Sequence, residues 1–397
     1  MVSSMKSKYL VSTVVVLLVV VIFVFTFRWK LKTYAVDIYQ LLEEPNIEWV
    51  NTNPINEGLY KNRLEKLKNT LASKKTESFL VVRGNKIVYE WYSMGGGPNV
   101  KHYTAAMAKP LLGVSSLLIA LTDEKVGLLD PIDKFVQQLS NDPIRKKVRI
   151  SDLAFHTSGL EDVDFSEGKY GLLTGWKKDY YEHRGKRFRY AVFNVPFLFE
   201  PGVREKYSGV GYYALAYVIT KALQDGAHQD NIKSLLKERI MRPLQIPDAD
   251  WSISYNEDHD VDGMKMYAFG SGAELTTRAT ARIAQLILSR GHWQGRTIID
   301  PEWIDKVLAR DSENKQLISY DHGWFLNIDR KWSSLPKDAI VGIGGGHQVT
   351  LIVPSLDLVM VRYGDALSNK HDTFFTVLDG LVFRPLMSAI AENSVGE

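Results

Sequence analysis

Residues 107–122 constrain this chain more than any other stretch. Almost every side chain from Met107 to Leu121 is apolar, and the run closes on Thr122-Asp123-Glu124. At this length it is a helix rather than a strand, and a helix apolar on every side is a buried one. The rest of the domain must supply the cover. With 397 residues, 45% of them apolar, the chain has the material for a full core.

The flanking patterns say what that cover is made of. Tyr60, Leu64, Leu67 and Leu71 recur at helical spacing with Lys and Arg between them, which predicts a surface helix. Phe79-Leu80-Val81-Val82 and Ile87-Val88-Tyr89-Glu90-Trp91-Tyr92 flank Arg83-Gly84-Asn85-Lys86, the pattern of a hairpin. Residues 120 to about 260 are mostly helical in pattern, as in 212–223 and 232–240, and 279–288 reads as a further helix. Residues 324–326, 348–353 and 358–363 read as strands, and 374–390 as helical. Strands at both ends around a helical middle predict an α+β fold whose sheet is assembled from the two chain ends.

The N-terminus departs from this globular pattern. Residues 9–27 carry no charge and are rich in Val, Leu, Ile and Phe. As a helix the segment would be about 28 Å long, enough to cross a bilayer. It ends in Phe25-Thr26-Phe27-Arg28-Trp29-Lys30 rather than in small residues, which favours an uncleaved anchor over a signal peptide. The expected plan is a short tail (1–8), one transmembrane helix (9–27), a juxtamembrane connector (28–56) and one domain (57–397), helical over about 120–260. Lys6 and Lys8 before the span nearly balance Arg28, Lys30 and Lys32 after it, so flanking charge hardly orients it. The chain has no cysteine, which fits an oxidising compartment, and the domain is expected on the extracytoplasmic side of a single-pass protein. Absence of cysteine also excludes disulfides, a thiol nucleophile and a Cys-built zinc site. The nine histidines show no metal-ligand spacing, so no metal or cofactor is expected. A net charge of +3 gives no reason to expect nucleic acid as a partner.

The buried run opens on Tyr103-Thr104-Ala105-Ala106-Met107-Ala108-Lys109. In an S-x-x-K arrangement a serine and a lysine lie one turn apart on one helix face. Backbone N–H groups at the helix N-terminus favour developing negative charge on the serine, and a buried lysine acts as a base. This chain has Lys109, but Ala106 stands three residues before it. Taken alone, A-x-x-K carries no signal, and Lys109 reads as a solvated helix lysine.

Other segments change that reading. After the run come Lys125-Val126-Gly127-Leu128-Leu129-Asp130-Pro131 and Ile150-Ser151-Asp152-Leu153-Ala154-Phe155-His156-Thr157-Ser158-Gly159-Leu160. Then follow Glu200-Pro201-Gly202, Tyr207-Ser208-Gly209-Val210-Gly211-Tyr212, Leu275-Thr276-Thr277-Arg278 and Gly291-His292-Trp293-Gln294-Gly295-Arg296. In this order, behind the hairpin, they resemble the β-lactamase/penicillin-binding-protein superfamily of serine hydrolases over about residues 77–385. The likeness is greatest to the class C-type branch, which also holds esterases, D-amino-acid peptidases and 6-aminohexanoate-dimer hydrolases. The 150–160 stretch, close to I-x-x-L-L-x-H-T-S-G-L, is its most specific part.

The resemblance implies a β-lactamase/transpeptidase-like fold, an antiparallel sheet flanked by helices with a helical subdomain. It implies that Ala106 occupies the nucleophile position. Lys109 and Tyr207, the tyrosine of a Y-x-N motif, would manage the nucleophile's proton. Gly342-Ile343-Gly344-Gly345-Gly346-His347-Gln348 would be the strand edge that reads K-T-G or H-x-G elsewhere. There Gly344, Gly345 and Gly346 together are candidates to pair a backbone N–H with that of Ala106 as an oxyanion hole. A glycine-rich turn between strands is the plain alternative for them, and a core tyrosine packed with Tyr212 and Tyr213 is the alternative for Tyr207. Gly209 stands where the motif has Asn, and the glycine edge holds no Lys or Arg. Both departures disfavour β-lactamase or transpeptidase activity and leave esterase or amidase chemistry.

Some features have plainer readings. His156, Thr157 and Ser158 brace a turn at a helix end. Ser234-Leu235-Leu236-Lys237 is a chance S-x-x-K in an amphipathic helix. Aromatic and basic residues from Lys169 to Arg189, among them Tyr170, Trp176, Tyr180 and Tyr181, either border the cleft or simply pack. The function expected is that of a membrane-anchored serine hydrolase for small esters, amides or peptides, inactive with Ala106 in place. The alternative is a pseudoenzyme that serves as a tethered binding or scaffold module.

Overall fold

Period-two alternation sets the sheet and splits its two faces. In the computed structural model, which describes residues 49–163, 173–182, 184–224, 230–308, 323–368 and 374–391, the hairpin is β1 (Thr76–Arg83) and β2 (Lys86–Tyr92). Gly84 and Asn85 both take positive φ (57° and 58°), as a two-residue turn matched to the strand twist requires. The remaining strands are β3 (Trp324–Leu326), β4 (Ile340–Gly344), β5 (Gln348–Val353) and β6 (Leu358–Gly364). They form one six-stranded antiparallel sheet in the order β3-β4-β5-β6-β1-β2. The join between the two chain ends is the β1–β6 pair, which runs from Thr76↔Gly364 to Arg83↔Leu358 with a register shift between Thr76 and Ser78.

Phe79 and Val81 of β1 face one core, with Leu358 and Met360 of β6. Leu80 and Val82 face the other, with Val359, Val361 and Tyr363. The first core is closed by α1 (Lys61–Ser73), whose Leu64, Leu67 and Leu71 are buried, and by the closing helical turns Phe374–Leu378, Asp379–Phe383 and Arg384–Ser388. Each such leucine contributes about 2 kcal/mol through burial.

The second core contains the apolar run. Among the described residues one helix, α2 (Ala105–Thr122), is long and apolar enough to cross a membrane, and 83% of that window is buried inside the domain. Its turns are not uniform: Ala105–Met107 is 3-10, Lys109–Val114 is π and Ser115–Thr122 is α. Pro110 has no N–H to return to the carbonyl of Ala106, so the regular i to i−4 pattern cannot run through this turn. Around α2 lie α3 (Gly209–Leu223), from the helical middle, and α4 (Thr277–Leu288), which packs across β1, β5 and β6. The α+β expectation and the two-ended sheet are thus met.

The folded unit begins at Trp49, ahead of the boundary read at residue 57. Thr52 donates its N–H to Ile87 O (3.0 Å) and Ile87 donates to Val50 O (3.1 Å), so the last residues assigned to the connector run along edge strand β2. They shield backbone groups that the edge would otherwise leave bare. The anchor expected over residues 9–27 lies outside the described residues.

Candidate active site

The site is built where a short sheet hands the chain to α2. Lys101–Tyr103 pairs antiparallel with Glu274–Thr276. Thr104 follows, fully buried, with its N–H and its Oγ1 both donating to Ala273 O (3.0 Å each). Ala105 then takes a φ of 49°, a left-handed value that costs a non-glycine residue about 1 kcal/mol and turns the chain sharply into the helix. Ala106 comes next and faces a cavity of about 320 Å³.

Lys109, one turn on, is only 4% exposed, so it is not the solvated lysine that its bare spacing suggests. Its Nζ donates to Gly270 O at 2.9 Å and lies 2.5 Å from Tyr207 Oη. The rings of Tyr207 and Tyr212 flank it at 4.8 and 5.4 Å, a cation–π setting. Tyr207 is 43% exposed and lines the cavity, so it is not a core tyrosine. It stands just before α3, where the Ser208 side chain caps the helix by accepting from Gly211 N–H (3.0 Å).

Sequence reading missed Asp162. Its Oδ1 accepts from Val210 N–H at 3.2 Å, at the N-terminus of α3, and the residue lines the same cavity. Burial pushes its carboxyl above the usual range, against the pull of the Gly209 and Val210 N–H groups and the charge of Lys109. A Cβ on Gly209 would lie 3.6 Å from Asp162 Oδ1. The carboxyl of Asp162 thus lies beside Gly209, the third place of the motif. An acid two residues past Ser-Gly-Leu was the only trace of it in the sequence.

The glycine edge is where the strand pattern predicts it. Gly344 ends β4, and Gly345, Gly346 and His347 form the turn to β5. A Cβ on Gly344 would fall 2.2 Å from Thr104 O and 3.0 Å from Met107 N, so bare backbone is needed for this strand to meet the first turn of α2. The three glycines do not line the cavity that holds Ala106, Lys109 and Tyr207. Gly344 lies behind the helix start. Arg362, fully buried, donates to Gly346 O (3.1 Å), His347 O (2.9 Å), Asp365 O and Thr76 Oγ1, and burial lowers its guanidinium to about 10.

Of the aromatic and basic segment, Tyr180, Tyr181, Arg184 and Arg187 line the cavity, whereas Trp176 turns its Nε1 to Glu161 (3.1 Å). Lys169 and Tyr170 lie outside the described residues. Ser234 bonds back to Asn231 at its own helix start, and Lys237 pairs with Asp248, away from the cavity. Among the described residues no three His, Asp or Glu side chains converge as a metal site.

A family model described as Beta-lactamase matches residues 71–376. The chain belongs to the beta-lactamase family. Among curated members, the 6-aminohexanoate-dimer hydrolase of Paenarthrobacter ureafaciens is 23% identical over 314 residues, 76% of this chain and 75% of that one. A Bacillus anthracis structure provisionally named for the same hydrolase superposes with a TM-score of 0.62 at 18% identity, over 84% of this chain and 86% of that one. A family VIII carboxylesterase gives a TM-score of 0.59 at 15% identity, over 83% and 99%. The beta-lactamase fold is thus shared with both, at identities that speak for fold alone.

Proposed function

We propose that this chain is a membrane-anchored member of the acyl-serine hydrolases, directed at small esters, amides or peptides, and inactive by that route because Ala106 occupies the nucleophile's place. The observation that carries this reading is the 2.5 Å contact between Lys109 Nζ and Tyr207 Oη in the cavity that Ala106 faces. With a hydroxyl supplied by Ala106→Ser, its oxygen attacks the carbonyl carbon and its proton passes to Tyr207 with the help of Lys109. The N–H of residue 106 holds the oxyanion, without help from Gly344–Gly346, which do not line its cavity. The leaving group takes the proton back, and water then cleaves the acyl ester. Residues 9–27 anchor the domain on the extracytoplasmic side in a single pass.

The test is fluorophosphonate labelling read by intact mass. The Ala106 chain should gain no adduct, and Ala106→Ser should gain one. Adding Lys109→Ala should slow labelling by about a hundredfold or more. An adduct on the Ala106 chain that Lys109→Ala removes overturns the proposed inactivity. No adduct on folded Ala106→Ser would favour the second reading, a tethered binding or scaffold module, which Ala106 itself supports.

A further inference from the structure

Tyr207 stands on a loop and is nearly half exposed, yet its hydroxyl is held 2.5 Å from Lys109. The residue that grips its peptide is His156. His156 is 1% exposed and takes a φ of 58° at the end of the helix Ile150–Ala154. Its carbonyl accepts the N–H of Lys206 (2.9 Å), and its Nδ1 accepts the N–H of Ser208 (3.1 Å). Its ring lies 4.7 Å from the Tyr207 ring and 5.3 Å from that of Tyr212. The two hydrogen bonds therefore fall on the residues either side of Tyr207, and the ring packs on Tyr207 itself. The bracket is anchored in turn: Thr157 donates its N–H to Asp152 O (2.9 Å) and its Oγ1 to Asp152 Oδ1 (2.8 Å).

We infer that His156 is a positioning residue that fixes the Tyr207 hydroxyl against Lys109, and that it does so only while its Nδ1 is unprotonated. This rests on the reading of Tyr207 as the proton carrier. A backbone N–H can donate to Nδ1 only through that atom's lone pair, so the neutral ring carries its proton on Nε2. A proton on Nδ1 would set two N–H groups face to face and release Ser208. Among the described residues, the titratable side chains that the ring packs on are Tyr207 and Tyr212, and Lys109 Nζ lies over both of those rings.

Two amide substitutions separate positioning from packing. His156→Asn puts an amide oxygen near the place of Nδ1, and His156→Gln puts it near that of Nε2. Neither titrates. Phosphonylation by a fluorophosphonate is followed against pH in Ala106→Ser, with and without each change, and thermal melting checks the fold. In the chain as it stands, the ring 13C signal of Tyr207, assigned through Tyr207→Phe, is followed over the same pH range. His156→Gln is expected to slow labelling by about tenfold or more and to shift the Tyr207 signal. His156→Asn is expected to recover most of the lost rate and to abolish the acid-side change in the signal. The inference fails if His156→Gln leaves both readouts within about twofold of the parent. It fails equally if the Asn and Gln variants fall together in rate and in melting temperature. If Ala106→Ser does not label at all, the proposed function fails, and the Tyr207 signal still decides on His156.

Discussion

At position 106 a methyl group stands beside a lysine and a tyrosine set 2.5 Å apart. A buried lysine held by a tyrosine oxygen and a carbonyl is an expensive arrangement for a core that needed only packing. Lys109 and Tyr207 were legible in the sequence only through the segments around them, since neither spacing alone separates a site from a surface helix. Asp162 was not legible, because its tie to Val210 joins residues 48 apart in the chain and leaves no periodic mark. Gly344 was legible as glycine but not as a contact. Gly344→Ala would drive a Cβ into the backbone of Thr104 and is expected to destabilise the domain by on the order of 2–4 kcal/mol. The denaturant midpoint measures this, with Gly380→Ala as the control, since a Cβ there meets nothing within 4 Å. An unchanged midpoint for Gly344→Ala would mean that the strand edge is free to withdraw from α2.

Hydrophobic periodicity foretold most elements but not the hydrogen-bond register within them. It gave α2 as one helix, whereas Lys109–Val114 is wound as a π turn that opens on the cavity-lining Lys109. The cap of α3 is another local device: Ser208→Ala is expected to lower stability by about 1 kcal/mol, read from the same denaturation curves. The β4–β5 turn carries a pH dependence. Burial, with the Arg362 charge beside it, lowers His347 from 6.5 to about 4. Unfolded chains bind a proton there near pH 6.5 that folded chains refuse until about pH 4. Stability is therefore fully present above the upper value and is lost as pH falls through the window, by about 3 kcal/mol at most. Melting temperatures from pH 7 to pH 4 should show this fall, and a smaller one in His347→Gln. Equal falls in both proteins would assign the loss to other groups.

In the whole domain, the sheet's dependence on both chain ends was readable from where the strands lie. The docking of residues 49–57 was not, because its backbone bonds to Ile87, the Lys86–Glu57 ion pair and the packing of Trp49 on the core follow no apolar period. The ends also meet directly: Tyr60 donates to Ala389 O and Ala391 to Gly58 O, each at 2.8 Å. Leu378, Val382, Phe383 and Leu386 are fully buried beside α1. A chain stopped before Phe374 is expected to lose its cooperative unfolding transition, checked by circular dichroism on heating. A sharp transition in that fragment would show that α1 and the sheet suffice without the closing helices. The pairing of Thr76 with Gly364 also bears on biosynthesis. Strand β1 leaves the ribosome long before its partner β6 is made. At about 5–20 residues per second, the newborn chain waits some tens of seconds with the apolar α2 and one side of β1 lacking their final cover. For that interval the growing polypeptide depends on chaperones, or on its own provisional collapse, to keep a membrane-like helix from joining the wrong neighbour.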